Sequence, residues 1–409
     1  MITQPLLTRR PKAALLALAC LLACAVVAAQ VAGAQTAPEG VPLFNGKDLS
    51  GWHNINCAPG TWSVRDGVIH STGAPICELR TERMYENFVL DVEWMHLTPK
   101  GNAGVFIWAD PLPARGEPFL RAVEVQVLDG RETPNYTSHG DIFPIHGAKM
   151  TPNHPHPGGW DRSLPTEKRA KPAGQWNHYR ITADRGRITL EVNGKAVSGG
   201  YDITPRKGYI ALESEGAPAQ FRNLRVRELA SAGTLPADQV AAADEGYRSL
   251  YSGVNLSGWT EEGAVGHFAS ADWQIAAGGP GRSPRGTLVS AATFRNAEFF
   301  IDWKCGAPGE NEQPEPKEVT ADGFVDLSIA GYKDNRLRLS CRDRVEGQAE
   351  GTGWNRTRVH KRDANVEVEL NGRALTARAP STAGPAAPLA ITHEGGVMTL
   401  ANVFVRERP

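Results

Sequence analysis

Two stretches of this chain set proton-moving side chains on one side of a strand. In Ala122-Val123-Glu124-Val125-Gln126-Val127-Leu128-Asp129-Gly130 the valines fall at every second position. Side chains alternate across a strand, so Val123, Val125 and Val127 share a core face while Glu124 and Gln126 share the other, with Asp129 at the strand end. An acid, an amide and a second acid are so lined up. The plainer alternative is the solvated face that alternating strands normally keep. In Gly208-Tyr209-Ile210-Ala211-Leu212-Glu213-Ser214-Glu215-Gly216, Ile210 and Leu212 turn inward and send Glu213 and Glu215 the other way. Like charges at adjacent same-side positions raise each other's pKa, a cost unless a metal, a base or a substrate uses them. Ordinary exposed glutamates are the competing reading.

Two further stretches supply binding candidates. Gly101-Asn102-Ala103-Gly104-Val105-Phe106-Ile107-Trp108 puts small residues before an aromatic strand, which lets a ligand approach backbone near Asn102 and offers Trp108 as a stacking face or as core. Between Asn135 and Pro165 the pattern is irregular but holds His139, Asp141, His146, His154, His156 and Trp160. Histidine gains and loses its proton near neutral pH, so His139 or His146 can act as acid, base or metal ligand, or simply as hydrogen-bonded loop residues. Their spacing fits no zinc motif.

The elements that must position these residues are strands. Short alternating runs broken by Gly, Pro, Asn and Asp recur throughout, and no long helical period competes with them. Phe88, Leu90, Val92 and Trp94 point to one side of their strand. Arg187 to Val192 alternates and then turns at Asn193-Gly194, a strong hairpin signal. The pattern also repeats. Phe44-Asn45-Gly46-Lys47-Asp48-Leu49-Ser50-Gly51-Trp52 has its shape again in Tyr251-Ser252-Gly253-Val254-Asn255-Leu256-Ser257-Gly258-Trp259. Trp62-Ser63-Val64 is matched with Trp273-Gln274-Ile275, Val192-Asn193-Gly194-Lys195 with Leu370-Asn371-Gly372-Arg373, and Phe221 to Val226 with Leu400 to Val405. A period this long means one fold duplicated rather than a solenoid. The expected organisation is a signal peptide at 1–34, a β-sandwich at 41–229, a linker at 230–245 rich in Ala, Gly and Asp, and a second sandwich at 246–409, both of jelly-roll type.

Composition sets outer bounds. With 41% hydrophobic and 22% charged residues the chain is globular, and a net charge of −1 gives no pull toward phosphate backbones, so nucleic acid is not an expected partner. Arg9, Arg10 and Lys12, an apolar run from Ala13 to Ala29, and Ala32-Gly33-Ala34 make the three parts of a secretory signal. Leu21-Leu22-Ala23-Cys24 also has the form of a lipoprotein signal, with a lipid anchor at Cys24. The expected location is therefore periplasmic or extracellular, with an outer-membrane lipoprotein as the variant and no transmembrane segment in the mature chain. The remaining cysteines divide as Cys57 with Cys77 and Cys305 with Cys341, one pair per half, and an oxidising compartment favours a disulfide in each.

The first half resembles the 3-keto-disaccharide hydrolase family. The resemblance runs from Leu43 to Leu229 and rests on the F-N-G-K-D-L-S-G-W opening, W-S-V-R-D-G-V-I, G-N-A-G-V-F, E-V-Q-V-L-D, Gln175 to Tyr179, V-N-G-K, and G-Y-I-A-L-E-S-E-G followed by F-R-N-L-R-V. The family more usually reads L-Q-x-H-G where this chain has Leu212-Glu213-Ser214-Glu215-Gly216. The resemblance implies two concanavalin-like jelly-roll β-sandwich domains in tandem, all-β, acting on an oligosaccharide or glycoside oxidised at C3. A C3 carbonyl acidifies the C2 proton, so a base can take it while an acid helps the C1 substituent leave, followed by hydration.

By similarity Glu124 is base or metal ligand, Gln126 and Asp129 position groups or ligate, and Glu213 or His139 is the acid. Asn102, Trp108, His146 and Glu215 are substrate-binding candidates. A divalent cation, calcium, magnesium or manganese, would stabilise the enolate. The second half keeps the frame, but Asp322-Gly323-Phe324-Val325-Asp326-Leu327 is not followed by an E-x-Q-x-x-D strand, so it is expected to be non-catalytic. A lectin-like binding protein and an ordinary carboxylate-pair glycosidase are the alternatives.

Overall fold

The computed structural model describes residues 39–408 apart from 130–138, 232, 264, 309–323, 330–336, 341–352, 363–364 and 376–385. Its strands pair antiparallel into four sheets, two built before residue 229 and two after residue 247. The helical element among the described residues is one short turn, Ala237–Gln239. No helix among them is long and apolar enough to cross a membrane.

In the first sandwich a nine-stranded sheet faces a six-stranded one. The alternating residues Phe88, Leu90, Val92 and Trp94 are buried between them, and Val105, Val123, Val125, Ile210 and Leu212 come from the opposing sheet. The six-stranded sheet runs in the order Trp52–Ile55, Cys77–Thr81, Tyr209–Ser214, Gly104–Ala109, Ala122–Gln126, Ile142–Ile145. Because its inner face carries the core, its outer face must carry Glu78, Glu124, Gln126 and Glu213.

Among the described residues the second sandwich repeats the layout with fewer strands: Trp259–Glu262, Arg285–Phe294, Ala387–Glu394, Phe324–Ile329 and Leu337–Ser340 form one sheet in that order. Three pairs of left-handed backbone positions, two in turns and one within the closing strand, show the duplication. Asn193 and Asn371 hold φ of 49° and 52° before glycines at 83° and 82°, the paired positive φ of a two-residue hairpin loop. Asn223 and Asn402 occupy the same left-handed region, at 54° and 47°, as do Asp66 and Asp272, at 50° and 52°.

The last pair corrects one matched motif. The Val68–Ser71 strand, not Trp62–Arg65, has its counterpart in Gln274–Ala277, since both lie next to the long closing strand of their sheet. Trp62 therefore matches no tryptophan, and Trp273, in the turn of that hairpin, packs against Trp354 with ring centroids 6.0 Å apart instead. The expected Cys57–Cys77 disulfide is also corrected. Both are free thiols: Cys57 Sγ accepts the Trp62 indole N–H at 3.1 Å and lies 3.2 Å from the Glu78 carbonyl, while burial pushes the Cys77 thiol well above its usual pKa. Pair spacing and compartment do not dictate where two thiols point. Cys341, the expected partner of Cys305, lies outside the described residues.

The outer face of the six-stranded sheet is divided. One part, with Ile55, Phe106, Ala122, Tyr209 and Ala211, is apolar and packs against Tyr247, Phe300 and Phe404 of the second half. Phe300 and Phe404 are stacked with centroids 4.8 Å apart. The other part carries the glutamates.

Candidate active site

Gly104 marks the centre of the acidic patch. A Cβ at this position would stand 2.8 Å from Glu213 Oε2 and 3.0 Å from Glu124 Oε1, so the two carboxyl groups converge over a backbone that only glycine leaves uncovered. Glu124 comes from the Ala122–Gln126 strand on one side of Gly104, and Glu213 from Tyr209–Ser214 on the other. One strand further, Glu78 stands directly opposite Glu213 in the register. Glu78, Glu213 and Glu124 are exposed by only 0%, 1% and 6%.

Three carboxyls so confined cannot all ionise cheaply, because burial disfavours the charged form and each charge repels the next. Burial first, then the charge of Glu215, raises Glu124 to about 8, with Arg162 opposing. Glu213 lies well above the usual carboxylate range through burial and then Glu215, Glu124 and Glu78. Glu78 is raised well above it too, by burial and then Cys57, Glu124 and Glu215, against the opposing N–H of Leu120, which donates to its Oε1 at 3.1 Å. Glu78 Oε2 and Glu213 Oε2 are buried with no hydrogen-bond partner among the described residues. Asn102 Nδ2 donates to Glu215 Oε2, and Glu215 is half-buried.

The predicted site residues thus separate into groups. Glu124, Glu213, Glu215 and Asn102 are brought together. Gln126 shares Glu124's strand, but its Oε1 accepts the N–H of Val127 at 2.9 Å. His139 and Asp129 are drawn elsewhere: His139 stacks on Trp94 with centroids 5.1 Å apart, and its Nε2 is 3.7 Å from Asp129 Oδ1. Trp94 is a core residue of the nine-stranded sheet, so His139 lies on the inner side of the sheet whose outer side carries Glu124. Burial lowers His139 to about 4, and the charges acting on it are those of Asp129 and His96, none of the glutamates. His139 as the acid partner of Glu124 is accordingly corrected.

His146 stacks on Phe119 at 6.0 Å and is lowered to about 4 by burial. Trp108 is corrected as a stacking face. A register shift between Tyr209 and Ala211 and its own φ of 56° turn its side chain into the core, where it is 0% exposed and its indole N–H donates to Glu86 O at 2.7 Å.

Sequence reasoning missed Glu78 and Arg162, and named Asp141 only among the polar residues of its segment. Glu78 was within reach, since Cys77 and Leu79 alternate with it and point inward. The buried pair Arg162–Asp141, 2.9 Å apart, whose charges reach Glu124, comes from an irregular segment with no period to read. Among the described residues no group of three or more His, Cys, Asp or Glu is arranged to hold a metal ion.

In the second sandwich the register positions of Glu78 and Glu213 are taken by Thr287 and Thr392, which face each other with hydroxyl oxygens 2.9 Å apart. Asp326 occupies the place of Gly104. The frame is duplicated and the acid group is not.

The first sandwich is thus an antiparallel jelly roll with a buried carboxyl cluster over a strand glycine. Residues 39–227 match the family model of the 3-keto-alpha-glucoside-1,2-lyase-like domain, a span that coincides with the first sandwich. Two solved structures of candidate glycosyl hydrolases from Parabacteroides distasonis are similar to this chain. One is 20% identical, covering 46% of this chain and 93% of its own at a TM-score of 0.37. The other is 23% identical, covering 47% and 100% at 0.36. A carbohydrate-binding module of Bacillus subtilis is 12% identical, covering 45% and 99% at 0.33. No curated protein matches the chain.

Proposed function

We propose that the first sandwich cleaves glycosides already oxidised to a ketone at C3. The observation that carries this reading is the convergence of Glu124 and Glu213 over Gly104, two buried carboxyls each raised above the usual carboxylate range by burial and by the acids around it. Glu124 takes the C2 proton; the C2–H electron pair moves into the enolate formed with the C3 carbonyl. Collapse of the enolate makes a C1=C2 bond and expels the C1 oxygen substituent, which receives the proton of Glu213. Water adding across C1=C2 restores the 3-keto sugar, so the sum is hydrolysis.

The family match of residues 39–227 supports the substrate class, and Thr287 and Thr392 in place of the acids support a non-catalytic second sandwich. The charged, apolar and small-residue segments of residues 9–34 support export. Parallel incubation with a nitrophenyl glucoside and its 3-keto derivative tests the reading. Turnover of the keto form alone is expected. Turnover of both would make the protein an ordinary glycosidase, and binding without turnover a lectin.

A further inference from the structure

Residues 112–120 connect the Gly104–Ala109 strand to the Ala122–Gln126 strand that carries Glu124. One end of this loop touches the acid cluster, through the Leu120 N–H donated to Glu78. Its middle is held by the second sandwich. Gly116 N–H donates to Asp302 Oδ2 at 2.8 Å, Arg356 Nη2 to Pro113 O at 2.9 Å, and Asn402 Nδ2 to Glu117 O at 2.9 Å. Gly116 also lies so close to Trp354 that a Cβ would meet the indole at 2.2 Å. Asp302 is the hub: fully buried, it accepts two further bonds from Arg356, at 2.7 and 2.8 Å, and one from Asn402, at 2.8 Å.

The first sandwich is an internal control for these contacts. Trp94 pairs with Phe221 as Trp303 pairs with Leu400, which makes Glu93 the equivalent of Asp302 and Asn223 that of Asn402. Asn223 is exposed, and Glu93 is a half-buried surface residue paired with Arg222 at 2.7 Å. At the same two places in the second sandwich, Asp302 and Asn402 are 0% and 1% exposed and bonded to the loop. The duplicated frame has been turned from a solvated face into a socket.

We propose that the second sandwich is a clamp that fixes residues 112–120 and thereby the placement of Glu124 and Glu78, with Asp302 and Asn402 as positioning residues for the reaction of the first sandwich. The inference rests on the reading of the acid cluster as the active site. A clamped loop resists amide exchange, and catalysis tolerates little misplacement of its acid and base, about an ångström costing up to roughly 100-fold.

The test uses the full chain with Asp302→Ala, and with Asn402→Gly, which removes the side chain and keeps the left-handed backbone. Amide exchange by mass spectrometry over 112–121 is expected to quicken about tenfold or more, while the Arg187–Val192 strand is unchanged. On a 3-keto-glycoside, kcat is expected to fall about tenfold or more with KM within about twofold of wild type. A loop loosened without loss of kcat, or a loop not loosened in Asn402→Gly, overturns the clamp while wild-type cleavage stands. Failure of the wild type itself to cleave any 3-keto-glycoside overturns the reading of the site instead.

Discussion

Glu78 and Glu213 stand directly opposite one another on neighbouring strands, both buried, on the face of the sheet turned away from the core. Two acids in that relation share protons rather than both ionising, and Glu124 joins them across Gly104.

Stability should record this. Glu124 is held at about 8 against its ordinary 4.5, so between those values the folded chain binds more protons than the unfolded one. Stability from this group is then highest below about pH 4.5 and falls by about 1.4 kcal/mol per pH unit as pH rises toward 8. Glu78 and Glu213 act in the same direction. His139 and His146, lowered from 6.5 to about 4, act oppositely, but only below 6.5. Thermal melts from pH 6.5 to 8 should therefore show a falling Tm, and Glu124→Gln should fall less steeply. Parallel curves for the two proteins would contradict the placement of Glu124.

Gly104→Ala places a methyl group where the two carboxyls meet. We expect cleavage to fall by about 100-fold as the acids are pushed apart, with the far-ultraviolet dichroism of the sheets unchanged. Full activity in this variant would mean that the acids do not act over Gly104.

Cys57 and Cys77 should both be alkylated when the protein is unfolded without reductant, giving two separately labelled peptides. A single crosslinked peptide would restore the disulfide expected from pairing alone.

Much of this architecture is legible in the chain. The alternation of Val123 and Val125 fixes the side on which Glu124 stands, and Asn193-Gly194 with Asn371-Gly372 marks the same hairpin twice. What escapes is whatever breaks the period. The left-handed backbone at Trp108 reverses a side chain that strict alternation sends outward. His139 follows a segment with no period, and stacking on Trp94 takes it to the wrong side of the sheet for Glu124. The burial of Asp302 and Asn402 depends on a loop 186 and 285 residues away in the chain, which no local pattern can announce.

The most direct test of the central claim is the turnover of a 3-keto-glycoside by Glu124→Gln and Glu213→Gln beside the wild type, with Tm measured on the same samples. Each amide keeps the shape of a neutral acid but can neither take the C2 proton nor give one to the leaving oxygen. The account predicts a loss of about 100-fold or more in kcat for each, with Tm at pH 7 equal to wild type or higher. Near-normal turnover by either variant would contradict it.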